Sequence, residues 1–524
     1  MRGIHHVIGF VALLSVVTPS GALQAAGPEV PLVGAARKAD AVAVRVLIEQ
    51  RVDVNAGEVD GTTALHWAAY RGDLKSVDLL ISHGANVKAV TRYGVLPLSL
   101  ACANGHADVI ERLLKAGADA NTMQPGGETA LMTAARAGKP DALKALLAHG
   151  ADVNARETSR GQTALMWAAA EGHAAAIKVL AEAGADINAR SDEKDFRNYE
   201  PIPGTGAIGG VQNGVKVEFS PLLFAVRAGK VDAVRTLLDL GAHVNETTPD
   251  GTSALVIAAI NAKWDVGAYL LERGADPNAA AQGWNALHQV ARTRTYNLGI
   301  VPSPPPSGSV SSLDFARKLL AKGVNVNARM TREILNDGYR FTMSRLGATA
   351  YLIAAKGADA PMMRLLATLG ADTLIPNNAG TTPLMAAAGV DLAFLGEDTG
   401  SHEEALEAIT VALEDPHDVN AVNAQGVTAL HGAARRGAIP IVERLISDGA
   451  KLDAKNKQGL LPLTIALGYR KGRPLFLNEQ RQLATAAVIY KAMEQRGLPI
   501  DEDQDALALM RADAGQQSAQ AAAR

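Results

Sequence analysis

The stretch Gly61-Thr62-Thr63-Ala64-Leu65-His66 decides the fold, because it returns along the chain at intervals of about 33 residues. A second phrase, such as Gly84-Ala85-Asn86, closes each interval. A period of this length is typical of repeat proteins, in which each unit is too small to fold alone and packs on its neighbours. The opening phrase recurs at Gly127–Met132, Gly161–Met166, Gly251–Val256, Gly380–Met385 and Gly426–His431.

Each unit has the pattern of two helices joined by a turn. Thr63 is placed to cap a first helix, Ala64–Arg71, since its hydroxyl can accept a backbone N–H of the first turn. A second helix follows with apolar residues at helical spacing, and it ends at Gly84. The same cap position is filled in the other units by Thr129, Thr163, Ser220, Ser253, Asn285, Thr349, Thr382 and Thr428, and only Leu96 and Leu461 depart from the pattern.

These phrases resemble the ankyrin repeat, whose hallmark is Thr-Pro-Leu-His-x-Ala-Ala followed by Gly-Ala-Asp-Val-Asn. The resemblance covers about residues 32–500. It implies an all-α repeat solenoid, an array of stacked helix–turn–helix units with projecting β-hairpins, which usually serves as a protein-binding scaffold without catalysis. It also implies that His66, His288 and His431 form local hydrogen bonds that brace the hairpins.

The repeats give the chain a simple predicted organisation. Residues 32–57 form an N-terminal capping repeat, residues 58–190 form repeats 1–4, residues 220–455 form repeats 5–10, residues 456–500 form a C-terminal cap, and residues 501–524 form a disordered tail. Insertions at 191–219 and 330–346 lengthen the hairpin side. Those at 295–311, 389–402 and 468–479 lengthen the connection between two helices. Such loops are either functional or tolerated variation in length.

The N-terminus has the pattern of an export signal in residues 1–25. Arg2 precedes the apolar run Val7–Val17, which is too short to span a bilayer, and small residues follow. An uncleaved leader or a buried helix is the alternative. We expect a soluble protein in the periplasm or outside the cell, with no membrane span. The single cysteine, Cys102, cannot form an internal disulfide, and its alanine-like position predicts a small buried side chain.

Composition and motifs argue against several function classes. A formal charge of −3 excludes the strong basic excess of a dedicated nucleic-acid-binding protein. The GxGxxG pattern at Gly204–Gly209 lies in an inserted loop without the strand and helix that dinucleotide binding requires. Histidines one repeat apart are too distant to share a metal ion. We therefore expect no catalytic residues, no cofactor and no metal.

The ends of the first helices form the one charged pattern that stands out, because six of nine positions are basic. In the family's fold these positions face the concave side, so they predict a positive surface for an acidic protein partner. Alternatively, arginine is only a solubilising choice there. The candidate partner-binding residues are Tyr70, Arg71, Asn104, Arg136, Glu171, Arg227, Arg292, Lys356, Arg435 and Arg436, with Tyr93 and Trp284 as anchors at hairpin tips.

The function expected from the sequence is a non-enzymatic, monomeric scaffold that binds a protein along its concave face and hairpin tips. A regulatory or protective accessory of a periplasmic enzyme or envelope complex is a second reading. A third is a secreted effector that acts on the proteins of another cell.

Overall fold

The computed structural model describes residues 30–192, 194–195, 216–294, 297–298, 301–302, 308–333, 343–391, 400–470, 473–474, 482–500, 504 and 507–513. The predicted signal peptide, residues 1–25, lies outside these ranges, as does the glycine pattern Gly204–Gly209. Within the described residues no helix is long and apolar enough to cross a membrane. The chain divides into two compact units, which are described separately.

The first unit contains residues 30–125 and 129–151 of the described chain. It holds four pairs of helices, and in each pair we name the earlier one the first helix and the later one the second helix. The pairs are Pro31–Arg37 with Ala41–Glu49, Ala64–Arg71 with Leu74–Ser82, Pro97–Asn104 with Ala107–Lys115, and Ala130–Arg136 with Pro140–Ala148.

The second unit contains residues 126–128 and the chain from 152 onward. Its described part holds eight further pairs. These are Ala164–Glu171 with Ala174–Glu182, Pro221–Ala228 with Val231–Asp239, Ala254–Ile260 with Trp264–Glu272, Ala286–Arg294 with Ser312–Ala321, Ala350–Lys356 with Ala360–Thr368, Pro383–Ala387 with His402–Ala412, Ala429–Arg436 with Ile439–Ser447, and Pro462–Leu467 with Leu483–Gln495.

The first helices begin and end where the sequence predicts. Their caps bond to the first turn, as when the Thr129 hydroxyl accepts the Met132 N–H at 3.3 Å. Ala64–Arg71 ends at Gly72, which has a φ of 70° and therefore favours a residue without a side chain. Ala262 occupies the corresponding turn in another repeat with a φ of 52°, a conformation that alanine adopts at some cost.

Packing between neighbouring repeats forms the core. Within each unit, first helices pack on the first helices of adjacent repeats, and second helices pack on second helices. Small residues such as Ala68 and Ala69 are completely buried in these contacts, which allows the backbones to approach closely. The row of second helices in unit two is interrupted at one place, where Ser312–Ala321 and Ala360–Thr368 stand apart. The result is the all-α repeat solenoid that the resemblance implies.

The turn regions contain less strand than the projecting β-hairpins that the resemblance implies. Among the described residues, the regular turns carry only single antiparallel bridges: Gly57 with Thr63, Met123 with Thr129, and Thr247 with Ser253. Two-residue strands occur in the inserted segments. They pair Lys194–Asp195 with Lys216–Val217, Asn297–Leu298 with Val301–Pro302, and Tyr469–Arg470 with Arg473–Pro474.

The end of the chain corrects one expectation. Residues 501–524 are predicted to be a disordered tail, yet residues 507–513 are helical. Leu507 and Met510 are buried, and the Arg511 guanidinium lies 5.5 Å from the centre of the Tyr490 ring. Two apolar residues three positions apart are enough to hold one helical face against the last repeat. Residues 514–524 lie outside the described chain.

Candidate partner-binding surface

In the first unit, the candidate residues at the helix ends bond to neighbouring helices. The Arg71 Nε donates to the carbonyl of Arg37 at 3.1 Å, and the Asn104 Nδ2 donates to the carbonyl of Tyr70 at 3.2 Å. Both acceptors are terminal carbonyls of the preceding first helix, where a donor satisfies an open hydrogen bond and complements the helix dipole. Arg136 is half-buried, and the Tyr70 ring packs edge-on against Trp67. These side chains therefore stabilise the stack.

In the second unit, three basic candidates also have partners within the chain. The Lys356 Nζ donates to the carbonyl of Val390 at 3.0 Å, and Arg292 donates to the Gln289 side chain at 3.2 Å. Lys356 and Arg435 both act on Asp391: burial raises the pKa of that carboxyl, and the two cations oppose the rise. Acceptor groups of the chain itself therefore bind part of the positive charge that the sequence predicts for this surface.

Arg436 corrects the site prediction directly. The residue is only 4% exposed, and its guanidinium donates to the carbonyl of Ala387 at 2.9 Å. A side chain in that position cannot reach a partner. The sequence places Arg435 and Arg436 together because both end one helix, but successive residues of a helix point in directions about 100° apart.

Arg227 is the basic candidate that remains available. Its side chain is exposed, and its guanidinium lies 4.9 Å and 5.2 Å from the ring centres of Phe219 and Phe224. Partial desolvation of the guanidinium, and next the charge of Arg160, lower the pKa of Arg227, although part of the side chain stays exposed. Among the described residues, neither arginine is paired with a carboxylate. Glu171, the one acidic candidate, is exposed.

The two anchor candidates differ in exposure. Tyr93 is 50% exposed, and Arg92 holds its ring, with a guanidinium 5.0 Å from the ring centre and a hydrogen bond of 2.7 Å to the hydroxyl. Trp284 is less exposed than Tyr93, because it is half-buried in its turn. Its backbone carbonyl accepts a hydrogen bond from the side-chain amide of Gln282. Tyr93 is therefore the stronger anchor.

Further apolar side chains accompany Tyr93, and the sequence analysis missed them. Val59, Val90 and Met123 are 84%, 55% and 52% exposed on the three successive turns of unit one. The first two of these turns are joined by a hydrogen bond from the Arg92 N–H to the carbonyl of Asp60 at 2.7 Å, and Gly94 of the second turn lies against Pro125 of the third. We name Val59, Val90, Tyr93 and Met123 the apolar turn edge. Its signal was visible in the sequence as apolar residues where turns are usually polar.

Three buried histidines brace the turns as the resemblance implies. The Thr63 N–H donates to His66 Nδ1 at 3.1 Å, and His66 Nε2 lies 3.1 Å from the carbonyl of Val95 in the next turn. His431 repeats this arrangement. Burial lowers the pKa of His66 and His431, and it lowers that of His288 to about 4. Their imidazoles are therefore neutral structural parts.

Asparagines form a second bridge between repeats that the sequence analysis did not recognise. Asn278 Nδ2 donates to the carbonyl of Gly323 at 3.0 Å, and Asn278 Oδ1 accepts the Asn325 N–H at 2.7 Å. The last residue of the Gly-Ala-Asp-x-Asn phrase was the available signal. The same pair of bonds links Asn55, Asn154, Asn245 and Asn420 to the following repeat.

We expect the Asn278→Ala variant to lose about 1–2 kcal/mol of unfolding free energy, because two hydrogen bonds between repeats disappear. Asn278→Asp keeps the acceptor and loses the donor, so its loss should be smaller. Urea unfolding of the two variants beside the parent chain measures the series. Equal stability of all three proteins would show that the bridge contributes nothing.

The single cysteine behaves as the sequence indicates. Cys102 is completely buried, and burial raises the pKa of its thiol, so the side chain acts as a small apolar residue. In the part of the chain that the structure describes, no three His, Cys, Asp or Glu side chains come together as metal ligands.

Comparison with known proteins identifies the repeat. The family described as "Ankyrin repeats (3 copies)" matches residues 32–124, 98–191 and 222–301, and the family described as "Ankyrin repeat" matches residues 425–457. Together these matches cover just over half of the chain. A solved structure of the human ASB11 ankyrin repeat domain is 27% identical, with a TM-score of 0.39; the match covers 48% of this chain and 100% of that one.

Curated relatives share the repeats and are much longer. The mitochondrial disaggregase of Homo sapiens is 32% identical over 170 residues, which are 31% of this chain and 24% of that protein. The E3 ubiquitin-protein ligase KEG of Arabidopsis thaliana is 26% identical over 261 residues, 47% of this chain and 14% of that protein. The neurogenic locus notch homolog protein 1 of Xenopus tropicalis is 34% identical over 165 residues, which are 27% of this chain and 6% of that protein.

The chain thus spans a quarter or less of the length of these relatives. What it shares with them is the repeat, and ankyrin repeats bind protein partners. On the family matches and the helix pairs together, the chain belongs to the ankyrin repeat family.

Proposed function

We propose that this chain is a non-enzymatic, monomeric scaffold that is exported from the cytoplasm and binds a protein partner. The apolar turn edge is the observation that carries the proposal. Val59, Val90, Tyr93 and Met123 lie largely in water on adjoining turns, where exposed apolar area costs free energy unless a partner covers it.

Tyr93 is suited to be the central anchor of that contact. Tyrosine is enriched among the residues that dominate binding energy, since its large ring loses little conformational freedom. Arg92 fixes the ring through its hydrogen bond and its guanidinium contact, so less entropy is lost when a partner binds.

Arg227 and Arg160 support an acidic partner in the second unit. The charge of Arg160 acts on Arg227, and like charges close together favour an anionic group between them. The other basic helix ends serve the fold, so acidic recognition in this proposal rests on these two arginines.

We expect the double variant Tyr93→Ala, Met123→Ser to recover at least tenfold less partner, because an anchor of about 2 kcal/mol is lost. The measurement is quantitative pull-down from an envelope extract of the source organism with the processed chain as bait. Val422→Ser is the matched control, since Val422 is 59% exposed at the same turn position as Val90 but in the second unit. If the double variant and Val422→Ser recover equal amounts of partner, the apolar turn edge does not bind it.

Cell fractionation tests the export half of the proposal. The apolar run Val7–Val17 behind Arg2 supports it. We expect the chain in the periplasmic or extracellular fraction, with an N-terminus shortened by about 25 residues. If the full-length chain is found only in the cytoplasm, the export proposal is wrong. The pull-down would still decide whether the chain binds a partner.

A further inference from the structure

An open groove lies on the second-helix side of unit two, where Ser312–Ala321 and Ala360–Thr368 stand apart. Its volume is about 730 Å³, and apolar side chains form most of its walls, among them Leu320, Val324, Leu365 and Leu369. Elsewhere in this unit the corresponding helices of adjacent repeats pack on each other. The groove therefore occupies space that a helix face normally fills.

The two ends of the groove differ in charge, because its basic residues lie toward one end and most of its apolar residues toward the other. Arg317 and Arg364 line it, each six residues before the glycine that ends its helix, Gly323 or Gly370. They sit at equivalent positions on helices of equivalent repeats, so their α-carbons lie at the same height along the two helices. Leu320, Val324 and Leu369 follow toward the other end. Among the groove-lining residues that the structure describes, none carries a carboxylate.

The two arginines are free to change partners. Arg317 is paired with Asp314 at 2.7 Å and Arg364 with Glu407 at 2.5 Å, and all four side chains are about half exposed. Exposed ion pairs contribute about 0–1 kcal/mol, so a carboxylate entering the groove can replace either one.

We propose that this groove binds an amphipathic helix of a protein partner, with an acidic residue at Arg317 and Arg364 and apolar residues three and four positions later at the leucines. The inference rests on the proposed scaffold function and names a second contact surface for it. On the second wall the lining residues, from Pro361 to Leu369, follow about two helical turns, so a segment of two to three turns fits.

The shape of the groove favours a helix over a fatty-acid chain. Leu369 is 43% exposed, so the groove is open along its rim. An alkyl chain lying there would stay partly in water, whereas a helix buries one face and keeps its polar face in solvent.

Site-specific photocrosslinking in the source organism tests the proposal with the full chain. The probe is p-benzoylphenylalanine in place of Ala321, an exposed residue of the groove wall. The matched control carries it in place of Lys115, at the same helix position in unit one. We expect the probe at position 321 to crosslink a protein segment with an acidic residue three or four positions before its apolar pair.

Charge variants complete the test. We expect the double variant Arg317→Glu, Arg364→Glu to reduce that crosslink at least tenfold, and the neutral pair Arg317→Gln, Arg364→Gln to reduce it less. Arg112→Glu, which breaks an exposed ion pair with Asp78 in unit one, should leave it unchanged. A crosslink to lipid, to a second copy or to this chain itself, a yield no higher than at position 115, or indifference to the charge variants would overturn the proposal. A Tyr93-dependent pull-down that persists in that case would leave the scaffold function standing.

Discussion

Replacing Asp359 with alanine is expected to lower the unfolding free energy by about 3–5 kcal/mol, because the change leaves Arg294 as an uncompensated, largely buried charge. Arg294 Nε and one terminal nitrogen donate to the two oxygens of Asp359 at 2.6 Å and 2.9 Å. The side chains are 18% and 4% exposed. Asp359 also accepts the Met362 N–H at 3.2 Å and so caps the helix Ala360–Thr368.

An exposed ion pair supplies the control for this measurement. Arg273 contacts Asp239 at 2.7 Å across neighbouring repeats, but its two side chains are 33% and 59% exposed. Asp239→Ala should therefore cost less than about 1 kcal/mol. Urea unfolding monitored by circular dichroism compares the variants. If Asp359→Ala is as stable as Asp239→Ala, burial does not increase the contribution of the Arg294–Asp359 pair to the unfolding free energy.

Acidification is expected to destabilise the chain through its buried imidazoles, and His288 alone should account for about 3 kcal/mol. The pKa of His288 is lowered from 6.5 to about 4, chiefly by burial, although carbonyls of Ala328 and Ala348 oppose the shift. Between these two pH values the unfolded chain binds a proton that the folded chain does not. Stability is therefore complete above about pH 6.5 and falls as the pH drops toward 4.

Unfolding at several pH values between 7 and 4 measures this effect. We expect the His288→Gln variant to be less stable at pH 7 but to lose less stability on acidification than the parent chain. An unchanged pH dependence would mean that His288 is charged in the fold. In that case it would donate through Nδ1 to Asn285 Oδ1, 2.7 Å away, and through Nε2 to the carbonyl of Ala328, 3.0 Å away.

The repeat and its helix limits follow from local signals, which is why the sequence predicts them well. A threonine cap such as Thr129 and a turn glycine such as Gly72 act within one or two turns of their own position. The bracing role of His66 was also available, because it follows from the resemblance. The cap and the turn glycine need no knowledge of what lies in the next repeat.

The candidate site was harder to predict, because it depends on which side chains already form hydrogen bonds or ion pairs within the chain. Arg71 and Lys356 look like free surface charges in the sequence, yet Arg71 bonds to the helix-end carbonyl of Arg37 and Lys356 bonds to the carbonyl of Val390. The Arg294–Asp359 pair joins residues 65 positions apart with two insertions between them, so no local pattern indicates it. The groove beside Leu369 likewise depends on the distance between two helices.

The central claim is that a single repeat has no stable structure and that contacts between repeats create it. Circular dichroism of two fragments tests this most directly: residues 58–90, which form one repeat, and residues 30–156, which contain the four helix pairs of unit one. We predict an unfolded spectrum for the short fragment and a helical spectrum with cooperative thermal unfolding for the long one. A short fragment that is helical and melts cooperatively would contradict the account.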